Sequence, residues 1–359
     1  MRVRPRKQTE DRLLEHCQSY PNLQIEDLFK FIFQSAFGCE HMVSSKETAV
    51  DWIRREYDAG IGNPCMETEP LDGAYSRVHL SWLAQGLSAE TLGALFCDSA
   101  RCEPNGERML HDKLCVAREL AEKGKLPFSA EALEEKRKLW EREGYGALHH
   151  STEFRRAYRP TYRVISNEYA QYLPLFARID HAMQQGRVVL AIEGSSAAGK
   201  TTLAQLLQRV YGCAVFHMDD FFLQPHQRTA ERLSEIGGNL DRERFLEEVL
   251  KPLKAGKTVN FHRFDCTTQT MELPTEVLPH PLTVVEGVYS MHPELAPYYD
   301  FSVYLDIDSA YQRTRILKRN SPQYATFFFE RWIPMENLYF SKTSAKERCD
   351  LSFLIAEEN

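Results

Sequence analysis

Residues 194–202 read GSSAAGKTT, a run of small side chains that ends in a lysine and two threonines. The run satisfies the spacing GxxxxGK[ST] and stands between an apolar stretch, VVLAI, and a stretch that predicts a helix. Small residues let backbone N–H groups close around a phosphate, and the start of a helix adds partial positive charge. We expect Lys200 to reach the β- and γ-phosphates of a nucleotide and Thr201 to ligate Mg²⁺. The residues expected to hold the nucleotide are Gly194, Ser195, Ser196, Ala197, Ala198, Gly199, Lys200, Thr201 and Thr202.

Carboxylates follow two further apolar stretches. Asp219 and Asp220 come after AVFHM, and Glu286 comes after LTVV. If both stretches are strands of one parallel sheet, these acids lie at the carboxyl edge, where open α/β sheets bind ligands. Asp219 could ligate the metal, orient it through water or accept a proton from an attacking hydroxyl, and Glu286 suits the water shell of Mg²⁺. The alternative for the aspartate pair is two solvated loop acids.

The stretch RTRILKRN, residues 313–320, carries four cations on a predicted helix: Arg313, Arg315, Lys318 and Arg319. Cations at such a position could cover a phosphoryl group as a lid during its transfer. We expect Arg319 to act in catalysis, because it stands nearest the loop that should follow the helix, and Arg315 to contact the nucleotide. The alternative is an exposed basic helix face.

The elements that would position these residues alternate between strands and helices from residue 187 onward. Helices are expected to begin near Thr201, Arg242, Pro293 and Ser309. Strands are expected at Val188–Ile192, Ala214–His217, Leu282–Val285, Phe301–Leu305 and Leu351–Ile355. This alternation predicts an α/β domain with a parallel sheet of the P-loop NTPase type and helices on both faces.

The preceding part of the chain is expected to form a mostly helical accessory domain, residues 1–185, in front of the phosphate-binding domain, residues 186–359. Ser88 and Ser129 are expected N-caps, and AYSRVHLSWL is a candidate strand. The last helix of this half is expected over residues 162–186, with a break at Pro174.

Two groups of residues in the first half have the composition of a binding site. Cys39 and His41 could ligate zinc with a distant histidine, but the spacing is not typical of metal pairs, and the alternative is a packed local cluster. The stretch STEFRRAYRPTYRV could clamp an anionic substrate or a partner, and arginines stacked on tyrosines at a domain junction explain it equally well.

The second half resembles a known superfamily. GSSAAGKTT, HMDDFF, GGNLDRERF, FHRFD, VVEG and YLDIDSAYQRTRILKR follow in the order seen in the uridine kinase, nicotinamide riboside kinase and phosphoribulokinase superfamily, over residues 187–359. The resemblance implies ATP-dependent phosphorylation of a hydroxyl group. It also implies Asp219 as catalytic base and metal partner, Glu286 as a second acid of the metal site and Asp241 as the group that binds acceptor hydroxyls.

The acceptor side departs from the pattern of the nucleoside kinases. Leu240 stands where they usually have an aromatic ring before the sugar-binding acid. Phe264 and Gln269 replace the tyrosine and histidine with which uridine kinases hold the pyrimidine. Phe264 and Asp265 therefore stay candidates for acceptor binding, whereas a nucleoside acceptor is not implied.

Composition limits the remaining function classes. A net charge of −7 argues against nucleic acid or anionic membrane as the main partner, and nine irregularly spaced cysteines suit reduced thiols in the cytoplasm. We expect a cytoplasmic kinase that uses ATP and Mg²⁺ and phosphorylates a small polyhydroxylated metabolite, nucleoside-like, sugar-like or polyol. Two alternatives stay open: a nucleotide-dependent regulator whose helical half binds a partner, and a bifunctional enzyme with separate N-terminal chemistry.

Overall fold

The computed structural model describes residues 3–39, 45–62, 65–101, 103–146 and 148–356. The chain divides into two compact units, with the division between Asp180 and His181. The expected domain boundary was a few residues later, near residue 185. No helix within the described ranges is long and apolar enough to cross a bilayer.

The first unit is built mainly from helices. Serines cap several of them as the sequence predicts: Ser88 Oγ accepts the N–H of Thr91, and Ser129 Oγ accepts the N–H of Ala132. The helices are α1 Val3–Ser19, α2 Ile25–Phe37, α3 Lys46–Asp58, α4 Ala89–Asp98, α5 Gly106–Glu122, α6 Ala130–Arg142, α7 Thr152–Tyr158, α8 Asn167–Ala170 and α9 Leu173–Met183.

A small antiparallel sheet lies among these helices. Its strands are β1 Thr68–Pro70, β2 Tyr75–His79 and β3 Tyr162–Ser166, in the order β1-β2-β3. The central strand β2 is buried along its whole length, with α2 packed against it and α4 packed against β3. The strand expected within AYSRVHLSWL is therefore confirmed, and a 3₁₀ helix, Leu80–Gln85, follows it.

The prediction of a long helix over residues 162–186 is wrong for its first five residues. Residues 162–166 form β3, in which Tyr162 pairs with His79 and Ser166 with Tyr75. The stretch YRVIS is rich in aromatic and β-branched residues, which favour a strand once a partner strand is available. The remaining helix is divided before Pro174, which lies in the first turn of α9, where the missing proline N–H costs no hydrogen bond.

The second unit contains a five-stranded parallel sheet flanked by helices, so the expected fold class is confirmed. The strands are β4 Val188–Gly194, β5 Ala214–His217, β10 Leu282–Glu286, β11 Phe301–Ile307 and β12 Leu351–Ile355, in the order β12-β11-β4-β10-β5. All of β4 and β10 is buried, as expected for the inner strands of a parallel sheet covered on both faces.

Helices and short hairpins connect these strands. The helices are α10 Lys200–Tyr211, α11 Ala230–Ser234, α12 Arg242–Phe245, α13 Lys251–Lys254, α14 Ser309–Arg319, α15 Pro322–Phe327, α16 Ile333–Thr343 and α17 Ala345–Arg348. Two π-helical segments, Leu246–Leu250 and Phe328–Trp332, join α12 to α13 and α15 to α16. The short strands are β6 Val259–Phe261, β7 Phe264–Asp265, β8 Thr270–Met271 and β9 Thr275–Val277, paired as β6-β9 and β7-β8.

One expected helix of this unit is absent. The segment that begins near Pro293 contains only a 3₁₀ turn, Ala296–Tyr298. Pro293 and Pro297 each lack the N–H that a continuing helix would need, so the segment stays a series of turns.

Candidate active site

The carboxyl ends of three neighbouring strands bring the predicted phosphate-handling residues together. β4 ends at Gly194, and its register places Ile192 beside Glu286, the last residue of β10. On the other side of β10, Glu286 pairs with His217, the last residue of β5. The segments that follow β4 and β5 therefore leave the sheet beside Glu286, and open parallel sheets bind ligands at this edge.

The loop after β4 has the backbone shape of a phosphate cradle. Gly194 has φ +146°, and a Cβ there would lie 2.4 Å from the carbonyl oxygen of Leu305, so only glycine fits this position. Ala197 and Gly199 also have positive φ values, 64° and 101°. The chain then enters α10 at Lys200, and the first N–H groups of this helix lie at the end of the loop.

Lys200 is held inside the loop by backbone carbonyls. Its Nζ donates to the carbonyl oxygens of Gly194 at 2.8 Å and Ser195 at 3.0 Å, and the residue is buried. These are neutral acceptors, so a phosphate oxygen that enters the loop would offer the ammonium group a stronger, charge-assisted bond.

Thr201 and the acid of β10 are in direct contact. The Thr201 hydroxyl donates to Glu286 Oε1 at 2.9 Å, and His217 Nδ1 lies 2.6 Å from the same oxygen. Burial opposes the ionisation of Glu286, but the hydrogen bond from His217 and the charge of Lys200 outweigh it, so the pKa of Glu286 is lowered. The hydrogen bond to Glu286 raises the pKa of His217 in turn.

Asp219 and Asp220 lie in a 3₁₀ turn, Met218–Phe221, directly after β5. The Asp219 side chain is exposed and open to a ligand. Partial desolvation by the surrounding protein raises the pKa of Asp219. The negative charges of Glu286 and Asp220 raise it further, whereas the positive charge of Lys200 lowers it. Asp220 differs because its Oδ2 lies 3.5 Å from Nε of Arg263. The charge of Lys200 thus acts on the ionisation of Asp219, whereas Arg263 acts on that of Asp220.

The basic helix lies near the phosphate-binding loop at one of its arginines. A Cβ on Gly199 would be 3.8 Å from Nη1 of Arg315, so this guanidinium lies over the loop. Arg313 packs over the ring of Phe329, and Arg319 over the ring of Phe328, at 4.3 and 5.9 Å from the ring centroids. The described arrangement therefore brings Arg315 to the loop and holds Arg319 against an aromatic side chain of the following segment.

The acceptor-side candidates are engaged in local contacts. Asp241 is buried and caps α12: Oδ1 accepts the N–H of Arg244, and Oδ2 accepts Nε2 of Gln227 at 2.9 Å. Phe264 is buried in β7 under the guanidinium of Arg228. The carboxylate of Asp265 accepts the N–H of Thr267 at 2.7 Å, so it stabilises its own turn.

A family model supports the interpretation of this unit. The model described as the phosphoribulokinase / uridine kinase family matches residues 189–323. The match includes the phosphate-binding loop, the three acids Asp219, Asp220 and Glu286 and the basic helix α14, whereas the first unit lies outside it.

Individual relatives match only part of the chain. The phosphoribulokinase of Synechocystis sp. is 29% identical over 130 residues, which cover 34% of this chain and 39% of the relative. The uridine kinase of Chloroflexus aurantiacus is 29% identical over 142 residues, which cover 37% of this chain and 68% of the relative. A solved structure of a possible uridine kinase from Bacillus stearothermophilus is 27% identical with a TM-score of 0.38, covering 50% of this chain and 99% of that chain.

Two buried glutamates of the second unit were not among the residues singled out in the sequence. Glu336 of α16 accepts the N–H of Ser196 at 2.9 Å and also the Ser196 hydroxyl. Burial raises the pKa of Glu336, and so does the charge of Asp219. Glu336 therefore shapes the phosphate-binding loop from a helix 140 residues away, and in the sequence it is the single acid of the stretch WIPMENLYF.

Glu193 supports the loop from within the sheet. It is fully buried, and its carboxylate accepts the N–H groups of Gly194 and Met291, at 2.9 and 3.0 Å, and the hydroxyl of Tyr339 at 3.0 Å. Burial raises its pKa to about 7. These contacts tie the end of β4 to the turn after β10 and to α16.

The zinc site considered in the first unit gains no support. Cys39 is buried, and its thiol donates to the carbonyl oxygen of Phe96 at 3.5 Å. Glu40 and His41 lie outside the described residues. Within the described residues, no group of three histidines, cysteines or acids could hold a metal ion, and the eight cysteines form no disulfide.

Proposed function

We propose that this protein is an ATP- and Mg²⁺-dependent kinase that transfers the γ-phosphoryl group to a hydroxyl of a small polyhydroxylated metabolite. The observation that carries the proposal is the convergence of Lys200, Thr201, Asp219 and Glu286 on one edge of the sheet, after three different strands. A phosphate cradle, a hydroxyl–carboxylate pair and an exposed acid beside them are the parts that phosphoryl transfer requires. The family match and the names of the relatives, uridine kinase and phosphoribulokinase, support the same reaction class.

The phosphate side of the reaction follows from the donors of the loop. Lys200 exchanges the carbonyls of Gly194 and Ser195 for phosphate oxygens, and Arg315 adds a second cation above Gly199. Thr201, Glu286 and Asp219 are the oxygen donors that suit Mg²⁺, which would neutralise charge on the phosphates. Arg319 would have to leave the ring of Phe328 before it could reach the phosphates.

Asp219 is the proposed general base. The residue is exposed and lies within the electrostatic reach of Lys200, and partial desolvation raises its pKa, which makes it a stronger proton acceptor than an ordinary aspartate. It would take the proton of the acceptor hydroxyl as the oxygen attacks the γ-phosphorus. Asp220 is held near Arg263 and is the matched control for this role.

The acceptor is proposed to be ribose-like or polyol-like. Asp241 keeps unused acceptor capacity, because a carboxylate has about four lone-pair sites and the contacts with Gln227 and Arg244 do not fill them all. Leu240 has no aromatic ring and the ring of Phe264 is buried, so neither can stack on a nucleobase. These contacts favour recognition of hydroxyl groups over recognition of a particular base.

The test is acceptor-dependent release of ADP by the full-length protein. With sugars, polyols and nucleosides offered singly, one class should accelerate ADP release, and both Lys200→Ala and Asp219→Asn should abolish the acceleration. Asp220→Asn should keep most of it. If ATP binds but no acceptor of any class accelerates ADP release, the protein is a nucleotide-dependent regulator and the kinase proposal fails.

A further inference from the structure

The first unit contains a cavity of about 590 Å³ beside the end of its small sheet. Its walls come from α2, from α3 with Gly60 after it, from Phe96 of α4 and from the continuous stretch 149–164, which includes α7 and the start of β3, so four separate stretches of sequence contribute. Cavities of about 300–1,000 Å³ are typical of sites for small-molecule ligands. This cavity lies outside the segment that matches the kinase family.

The cavity wall has an excess of positive charge. Lys30, Arg155, Arg159 and Arg163 line it, and Glu56 is the one acidic residue in the lining. Glu56 is already committed, because its two carboxylate oxygens accept Nη1 and Nη2 of Arg163 at 2.8 and 3.1 Å. Within the described part of the chain, no carboxylate pairs with Lys30, Arg155 or Arg159.

The surrounding positive charge affects the pKa of Lys30. Its Nζ donates to the carbonyl oxygen of Leu148 at 2.7 Å, which leaves two further N–H donors. Burial lowers its pKa to about 8, and repulsion by Arg77 and Arg155 adds to the shift, opposed by Asp27. The ammonium group is therefore short of a negative partner, and an anion in the cavity would supply one.

Arg159 is held in a conformation that most residues avoid. It ends α7 with φ 44° and ψ 60°, in the left-handed region that favours glycine. Among the described residues, its side chain donates one long hydrogen bond, of 3.4 Å, to the carbonyl oxygen of Gly60. A guanidinium has five N–H donors, so most of those of Arg159 stay available to a ligand in the cavity.

Rigid aromatic and polar groups complete the wall. His150 is fixed between Asp27 and the hydroxyl of Tyr162, at 2.7 Å from each. Trp52 is 49% exposed at the cavity and offers a flat apolar surface. The cavity thus combines fixed hydrogen-bonding groups, a flat ring and three unpaired cations.

We propose that this cavity binds a small phosphorylated metabolite, with the phosphate held by Lys30, Arg155 and Arg159 and the body of the molecule against Trp52. Three unpaired cations match a phosphate monoester, which carries about −1.5 to −2 charge at neutral pH, better than a single carboxylate. Arginine forks suit the paired oxygens of a phosphate. The volume of the cavity fits a molecule of sugar-phosphate or nucleotide size rather than an extended polymer. This binding site does not depend on the proposed kinase function.

The experiment is ligand-dependent thermal unfolding of the full-length protein, followed by tryptophan fluorescence. Three of the four tryptophans, Trp52, Trp82 and Trp140, lie in the first unit, so this signal reports mainly on that unit. The probes are ribose 5-phosphate, glycerol 3-phosphate and AMP, each compared with its phosphate-free counterpart. A ligand that binds only the folded state raises the melting temperature in proportion to ln(1 + [L]/Kd).

Variants separate this cavity from the phosphate-binding loop of the second unit. Arg159→Gly removes a cation and suits the local backbone, so the fold should be kept, and Arg155→Gln removes a second cation. Each should weaken binding of the phosphorylated probe at least tenfold. Arg156→Gln, on the same helix but outside the cavity lining, and Lys200→Ala, in the other unit, should leave this binding unchanged.

The expected result is a shift with at least one phosphorylated probe that its phosphate-free counterpart does not give. The proposal is overturned if none of the three probes shifts the transition at millimolar concentration, or if Arg159→Gly and Arg155→Gln bind as the wild type does. It is also overturned if Lys200→Ala removes the shift, because the probe would then lie in the phosphate-binding loop. Stronger protection by a single-stranded oligonucleotide than by AMP would contradict a small-molecule site.

Discussion

His150 should make the first unit less stable in mild acid. Its side chain is 8% exposed, and it lies 2.7 Å from both Asp27 Oδ1 and the hydroxyl of Tyr162. Burial lowers its pKa from 6.5 to about 4; Arg77 and Lys30 add to the shift, and Asp27 opposes it. The imidazole is therefore neutral in the folded protein at pH values at which the unfolded chain already binds a proton.

The sign and size of the effect follow from this difference in pKa. Above pH 6.5 both states are neutral at this position and His150 makes no difference to the pH dependence. As the pH falls towards 4, the unfolded state gains a proton that the folded state does not, so the free energy of unfolding decreases. A lowering from 6.5 to about 4 corresponds to a loss of about 2 kcal/mol between pH 8 and pH 5, and of about 3 kcal/mol by pH 4.

The perturbation is His150→Gln, because glutamine can donate to Asp27 and accept from Tyr162 without titrating. The matched control is His149→Gln, which removes the exposed neighbouring imidazole. Denaturant unfolding, followed by tryptophan fluorescence at pH 5 and pH 8, gives the free energy of unfolding of the first unit for each protein. Other buried groups titrate in all three proteins, so the comparison between variants isolates His150.

We expect the wild type and His149→Gln to lose about 2 kcal/mol more between pH 8 and pH 5 than His150→Gln loses. Equal pH dependence of the wild type and His150→Gln would refute the reasoning, because His150 would then titrate alike in the folded and unfolded states.

Three further predictions concern the second unit. Gly194→Ala should abolish the rise in melting temperature caused by MgATP, because its Cβ would lie 2.4 Å from the carbonyl oxygen of Leu305; an unchanged rise would contradict the described loop. Asp219→Asn should keep most affinity for ATP and lose on the order of 10² to 10⁴ in turnover, measured as ADP release, whereas a larger loss in Asp220→Asn would shift the base to that residue. Asp241→Ala should lower the kcat/KM of the acceptor at least tenfold and destabilise the protein by about 1 kcal/mol through loss of the α12 cap. Asp241→Asn keeps the cap but lacks the charge. If this variant has the kcat/KM of the wild type for the acceptor, the charge of Asp241 is not needed for acceptor binding.

The phosphate side of the site could be predicted from the sequence because its signals are local. The loop pattern, the apolar strands and the acids after them lie within short stretches, and all five strands of the parallel sheet were expected near their observed positions. The strand at residues 162–166 was predicted as helix. It forms only in contact with its partner β2, which lies far away in the sequence, so no local signal indicates it.

Long-range contacts explain what the sequence did not indicate. Glu336 reaches Ser196 from α16, and no local spacing connects an acid in one helix with a distant loop. The cavity of the first unit is made by four separate stretches, so only the arginines around Tyr158 and Tyr162 suggested an anion there. Arg315, and not Arg319, lies over the phosphate-binding loop, because Arg319 packs on the ring of Phe328.

The central claim is that Lys200, Thr201, Asp219 and Glu286 together transfer a phosphoryl group to a small hydroxylated molecule. The most direct measurement is mass spectrometry of a metabolite pool incubated with ATP, Mg²⁺ and the full-length protein. We predict at least one product that is heavier than a pool component by one phosphoryl group, formed by the wild type and by Asp220→Asn but not by Asp219→Asn. A pool in which no component gains a phosphoryl group, although the protein binds MgATP, would contradict the claim.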